Sequence, residues 1–205
     1  MTLKKSNKTK EKAPVVKAEL EILLFSTQAE FRRWLQKNHA VCPGIWLRFY
    51  KKASDIVSIV YAEALDEALC YGWIDGQAKS CDEHSYMQRF TPRRPQSMWS
   101  KRNIEYIARL QASGKLEAPG RKAAEAAKAD GRWERAYDSP RNITVPEDFA
   151  LALSKNKKAL AFFEGLNKTN RYAILWRLQT AKKPETRVKR MKTLIEMLKK
   201  GEKFH

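Results

Sequence analysis

Alternation of side chains at period two, the mark of a half-buried strand, is confined in this chain to residues before Pro95, and that confinement limits the fold. Ile45-Trp46-Leu47-Arg48-Phe49-Tyr50 alternates directly behind the breaker Pro43-Gly44. Residues 73–80 and 85–91 read as two more strands around a Cys81-Asp82-Glu83-His84 turn. In the second of these, Tyr86, Gln88 and Phe90 share one face while Met87 and Arg89 share the other. Pro92 and Pro95 end the sheet.

Elsewhere the apolar spacing is helical. Thr27 and Glu30 form a capping-box pattern ahead of Phe31, Trp34 and Leu35, which predicts a helix to about Asn38. Residues 61–71 carry Leu65, Ala68 and Leu69 at helical spacing, with Gly72 as a helix terminator. From Ser97 onward the chain reads as helical, apart from a loop anchored by Trp133 and Tyr137 through Pro140: residues 99–113, an alanine-rich helix after Pro119, short helices with Phe149 and Leu153 and with Leu160, Phe162 and Phe163, and a stripe of Tyr172, Leu175 and Trp176. A last helix from Pro184 has the expected seam Val188, Met191, Ile195 and Leu198. Trp34, Leu69 and Trp176 are expected to be buried. The fold class is therefore α+β and mainly helical, with a small antiparallel sheet in the first half and a helical C-terminal half. Expected organisation is a disordered basic arm over 1–19, an α+β domain over 20–143 and a helical subdomain over 144–205.

Charge narrows the partners. The net charge is +18, and more than half of that excess sits at the two ends. Residues 1–19 hold six lysines against Glu11 and Glu19, and residues 182–205 hold nine lysines and arginines against three glutamates. Such a surface draws anions over a Debye length of ~8 Å at physiological salt. The lysine-rich start has no apolar core of a secretory signal, and no apolar run reaches the roughly 18 residues of a membrane span. Three cysteines, Cys42, Cys70 and Cys81, are an odd set for a disulfide framework. Together these predict a cytoplasmic protein.

Between Glu83 and Glu105 lie 21 residues with no acid, holding Arg89, Arg93, Arg94, Lys101 and Arg102 beside Phe90, Thr91, Ser97, Trp99, Ser100 and Asn103. Guanidinium forks and hydroxyls near a helix start suit phosphate or carboxylate oxygens, and Trp73 or Trp99 could stack on a base or sugar. The same residues equally read as packing: Trp99 in the core, arginines lying over it, and Ser97 or Ser100 as an N-cap. Asp75, the acid beside this block, reads as a partner for an arginine or as a general base. The expected ligand-binding set is Trp73, Asp75, Arg89, Arg93, Arg94, Ser97, Trp99, Ser100 and Asn103. A secondary basic cluster comprises Lys182, Arg187 and Arg190, beside Lys183. Cys81-x-x-His84 offers two metal ligands where a structural zinc needs four, so no metal is expected. Dinucleotide and P-loop glycine patterns are absent, so no cofactor is expected.

The string Ala68-Leu69-Cys70-Tyr71-Gly72-Trp73-Ile74-Asp75-Gly76 carries a resemblance, as do Arg89-Phe90-Thr91-Pro92-Arg93-Arg94 and Ser97-Met98-Trp99-Ser100-Lys101-Arg102-Asn103. These, with Pro119-Gly120, Gly131-Arg132-Trp133, Trp176, Ala181-Lys182, Glu185-Thr186-Arg187 and Arg190, resemble the bacterial YdeI/OmpD-associated, or bacteriocin-protection, family over about residues 25–201. The resemblance implies a role in surviving cationic antimicrobial peptides and association with an outer-membrane porin. The expected function is a non-enzymatic binder of an anionic ligand, with nucleic acid as one candidate, in a stress-protection setting. The alternatives are an enzyme using Asp75 on a small phosphorylated substrate, and a protein–protein adaptor.

Overall fold

The computed structural model describes residues 19–205, so the arm expected over 1–19 lies outside the described residues except for Glu19. Among the described residues there are eight helices and a four-stranded sheet, the latter confined to the first half. The fold is α+β, as the switch in period predicts.

The first helix, α1 (Gln28–Asn38), starts where its cap dictates. Thr27 Oγ1 accepts the Glu30 N–H at 3.2 Å, and Glu30 Oε2 accepts the Thr27 and Ser26 N–H groups at 3.3 and 2.8 Å. Its Phe31 and Leu35 are fully buried. Trp34, expected in the core, is only half-buried and packs edge-on against Trp73 with ring centroids 5.8 Å apart. It lies at the margin of the α1 stripe, where a large ring covers the core instead of filling it.

The sheet has one strand more than the alternation predicts. β1 (Ile22–Leu23) runs parallel to β2 (Ile45–Tyr50); two residues are too few to display a period. β3 (Trp73–Ser80) and β4 (Ser85–Pro92) are antiparallel, and the order is β1-β2-β4-β3. Ile45, Leu47 and Phe49 face inward opposite Phe90, Gln88 and Tyr86, while Trp46 pairs with Arg89 on the outer face. Phe31, Leu35, Leu65 and Leu69 close the inner face into one core. Burying each such side chain is worth about 1.5–3 kcal/mol.

Two close approaches set the entry to β3. α2 (Tyr61–Cys70) ends at Gly72, whose φ of +74° is open to glycine at little cost. α4 (Ala118–Ala129) then crosses the end of α2 so tightly that a Cβ on Gly120 would lie 2.4 Å from the Cys70 carbonyl oxygen. Trp73 is pinned behind this junction, its Nε1 donating to the His39 carbonyl at 3.1 Å. A register shift between Asp75 and Ala78 follows, and Gln88 Nε2 donates to the Gly76 carbonyl at 2.7 Å. Asp75 is thereby held just before the shift, as the last partly buried residue of β3.

α3 (Lys101–Ala112) packs on α2. After α4, residues 130–146 lead to α5 (Glu147–Ser154), α6 (Lys157–Gly165), α7 (Lys168–Gln179) and α8 (Pro184–Lys199). These four helices bury a second cluster that includes Phe149, Phe163, Ile174, Leu178 and Leu198. The expected seam of α8 needs correction at its start. Val188 is 66% exposed, and the packed stripe is Met191, Leu194, Ile195 and Leu198. The first turn of α8 instead turns Arg187 towards Asp148, so apolar contact begins one turn later. Trp176 likewise sits half-buried, edge-on to Tyr137 at 6.0 Å. The two halves are stitched at Tyr137 and Asp138: Lys101 N–H donates to the Tyr137 carbonyl at 2.9 Å, and Gln179 Nε2 to Asp138 Oδ2 at 2.6 Å. Among the described residues no helix is long and apolar enough to cross a membrane.

Candidate functional site

The expected ligand-binding set falls into three separate environments. Trp73 and Trp99 are each 1% exposed, so neither indole offers a face to a ligand. Arg93 lies flat on Trp99, its guanidinium carbon 3.6 Å from the ring centroid, and donates from Nη1 to the Met98 carbonyl at 3.2 Å. Its Nε and Nη2 are sealed from solvent without a hydrogen-bond partner, as is Trp99 Nε1. Burial pulls the Arg93 guanidinium down to about 10, with Tyr137 and Asp75 acting in the opposite sense and Arg132 adding to the pull. Arg89 is on the outer sheet face over Gly76, and Arg94 is exposed at a turn where its N–H donates to Ser97 Oγ at 3.1 Å.

Asp75, Ser100 and Asn103 come together. Ser100 is the N-cap of α3, accepting the Asn103 N–H at 3.1 Å. Asp75 Oδ2 accepts from the Tyr61 hydroxyl at 2.8 Å. They share a small chamber with Tyr61, Arg102, Tyr137 and Tyr172. Burial, joined by the Asp75 charge, pushes the Tyr61 phenol well above its usual range; burial pushes Tyr172 up to about 12, and Tyr137 is raised for the same reason. All three phenols are therefore neutral hydroxyls at physiological pH.

The secondary cluster leads to a second space, wider than the chamber at Asp75. A cavity of about 910 Å3 lies between the Gln96–Met98 turn and helices α7 and α8. Arg177, Lys182, Lys183, Lys189 and Arg190 line it, with Thr180, Thr186 and Thr193, the Trp176 indole and Phe204. No carboxylate is among its lining residues. The two arginines are held by uncharged groups: Arg190 Nη1 donates to the Arg177 carbonyl at 2.6 Å, and the Arg177 guanidinium carbon sits 3.7 Å from the Phe204 centroid. Their charge thus stays available to the cavity. Arg187, placed by the sequence in the same cluster, is absent from the lining; it forms a bidentate pair with Asp148 at 2.9 and 2.7 Å. Sequence reasoning missed Arg177, Lys189 and the threonines. Their signal was legible, because Thr186, Lys189, Arg190 and Thr193 recur at i, i+3, i+4 and i+7 of one α8 face.

Neither lining includes a cysteine or a histidine. Burial pushes the Cys70 thiol up to about 11, with Glu67 adding and Arg32 opposing, so it stays protonated. Cys81 and His84 lie exposed on the β3–β4 turn.

Residues 142–201 match the family model described as bacteriocin-protection, YdeI or OmpD-associated. That segment contains α5 to α8 and nearly the whole lining of the basic cavity. Residues 23–123 match a separate model, described as a domain of unknown function (DUF8412). The motifs at 68–76 and 89–103 that carry the resemblance fall in this second match. No curated protein and no solved structure gives a match.

Proposed function

We propose that the protein is a non-enzymatic binder of a phosphate-bearing anion, held in the basic cavity between α7 and α8. The observation that carries this reading is the cavity's lining of five cations with no carboxylate among them. Cations gathered without counter-charge repel one another, at about 4 kcal/mol for a close pair at an effective dielectric of 20, and an anion relieves that repulsion. Threonine hydroxyls add neutral donors, and the half-buried Trp176 supplies an apolar wall for a base or sugar. The lining holds no carboxylate, histidine or cysteine to act on a bound anion as base or nucleophile, which supports binding without turnover. The description of the matched family supplies the setting, protection against bacteriocins. The reading places the protein in the cytoplasm, where its three free cysteines stay reduced.

Tripolyphosphate titrated against the full chain tests this directly. Trp176 emission should change on binding, and Trp176→Phe should remove the optical signal while calorimetric binding persists. Calorimetry that detects no binding of tripolyphosphate at low salt would overturn the reading.

A further inference from the structure

The chamber at Asp75 differs in character from the basic cavity. It encloses about 230 Å3 where β3, α2, α3 and the Tyr137–Pro140 segment meet. That is below the roughly 300–1,000 Å3 of a drug-sized pocket, and room for about seven waters. It suits a molecule of a few heavy atoms and excludes a polymer.

Two opposite charges line this chamber without neutralising each other. Asp75 takes its hydrogen bond from Tyr61, and Arg102 gives its Nε to the Tyr106 hydroxyl at 2.9 Å. Among the described residues neither has an ion-pair partner within 4.0 Å. A structural aspartate beside an arginine would pair with it, since the pairing satisfies both. Asn103, 8% exposed, lines the same chamber, which puts its carboxamide within reach of whatever occupies it.

We propose that the chamber is a second ligand site, for a small bipolar molecule that sets an ammonium or hydroxyl donor against Asp75 and a carboxylate or phosphate against Arg102. Asn103 bonds the middle of such a ligand, and the neutral hydroxyl of Tyr61 orients the Asp75 carboxylate. Its position at the start of α3 adds a favourable field for the anionic end. Two sources supply this chemistry: an amino acid, or a phosphorylated polyol.

Calorimetry with L-serine and with sn-glycerol 3-phosphate, each against the full chain, decides the matter. Binding of either probe is expected, and which one binds identifies the source. Asp75→Asn and Arg102→Gln should each weaken it by about tenfold or more, the loss expected for a hydrogen bond to a charged group. Lys189→Gln, in the basic cavity, should leave this affinity unchanged. Circular dichroism establishes that the variants fold; Arg102 is exposed, so Arg102→Gln decides alone if Asp75→Asn does not. Failure of both probes to bind at millimolar concentration overturns the proposal. So does binding that neither substitution weakens, or binding that Lys189→Gln weakens equally, which would trace it to the other cavity.

Discussion

Adding one methyl group at Gly120 should destabilise this protein although it improves a helix. In an exposed helix interior, alanine is favoured over glycine by roughly 0.5–1 kcal/mol. At Gly120 the new Cβ would lie 2.4 Å from the Cys70 oxygen, 2.5 Å from the Leu69 oxygen and 2.9 Å from the Cys70 carbonyl carbon. All three are backbone atoms at the end of α2, so no side chain can rotate away. Relief requires α4 to retreat by about 0.6–1 Å, lifting Ala124 and Ala127, which are 4% and 0% exposed, off their contacts. Overpacking of this kind costs about 1–3 kcal/mol, so Gly120→Ala should lose roughly 1–2 kcal/mol net. Gly165 is the control. It ends α6, and an added Cβ there meets nothing within 4 Å, so Gly165→Ala should be neutral or stabilise by up to about 0.5 kcal/mol. Urea unfolding followed by tryptophan fluorescence measures both, with a shift of midpoint at constant slope as the readout. A Gly120→Ala variant as stable as wild type would refute the tight crossing of α2 and α4, and with it the placement of β3.

Arg32→Ala should cost about 3 kcal/mol at most, because it takes the counter-charge at 2.8 Å from Glu67, which is 3% exposed and keeps only the Gln28 Nε2 donor at 2.7 Å; Arg32 is itself 31% exposed at its side chain, which lets water in. Unfolding of Arg32→Ala and of Arg32→Ala/Glu67→Gln checks this, the second change being expected to recover part of the loss. The paired guanidinium of Arg187 holds the Asp148 carboxyl below the usual carboxylate range, so its contribution is present above the ordinary aspartate pKa and is lost as pH falls through the lowered one. Asp148→Asn should therefore cost about 0.2–1 kcal/mol at neutral pH and nothing once the carboxyl is protonated in acid, as unfolding at both pH values would show. An equal loss at both would mean that the pair is not electrostatic.

The parts of this fold that were legible in the sequence are those fixed within one segment. The Thr27–Glu30 box, the alternation of β2 and the terminator at Gly72 each depend on neighbours a few residues away, and each appears in the structure. β1 was illegible because its two residues pair with a strand more than twenty positions downstream. Val188 misled because an apolar residue at a helix start has no local mark of whether a partner covers it. Composition drew attention to residues 89–103, but composition cannot tell an arginine that faces solvent from one stacked on a buried indole. Arg93 and Trp99 are the latter. Tyr61, Tyr137 and Tyr172 reach one chamber from three distant segments, a convergence that only tertiary structure displays.

The salt dependence of single-strand binding reports on the cavity cations themselves. Fluorescence anisotropy of a labelled oligothymidylate should give a slope of log affinity against log salt of up to about −3.5, from five cavity cations at about 0.7 each. Replacing Lys182, Lys183 and Lys189 together by glutamine should flatten that slope by about 2 and leave circular dichroism unchanged, since Lys182, Lys183 and Lys189 are exposed. An unchanged slope in the triple variant would contradict the account, because the anion would then be held somewhere other than the cavity beside α8.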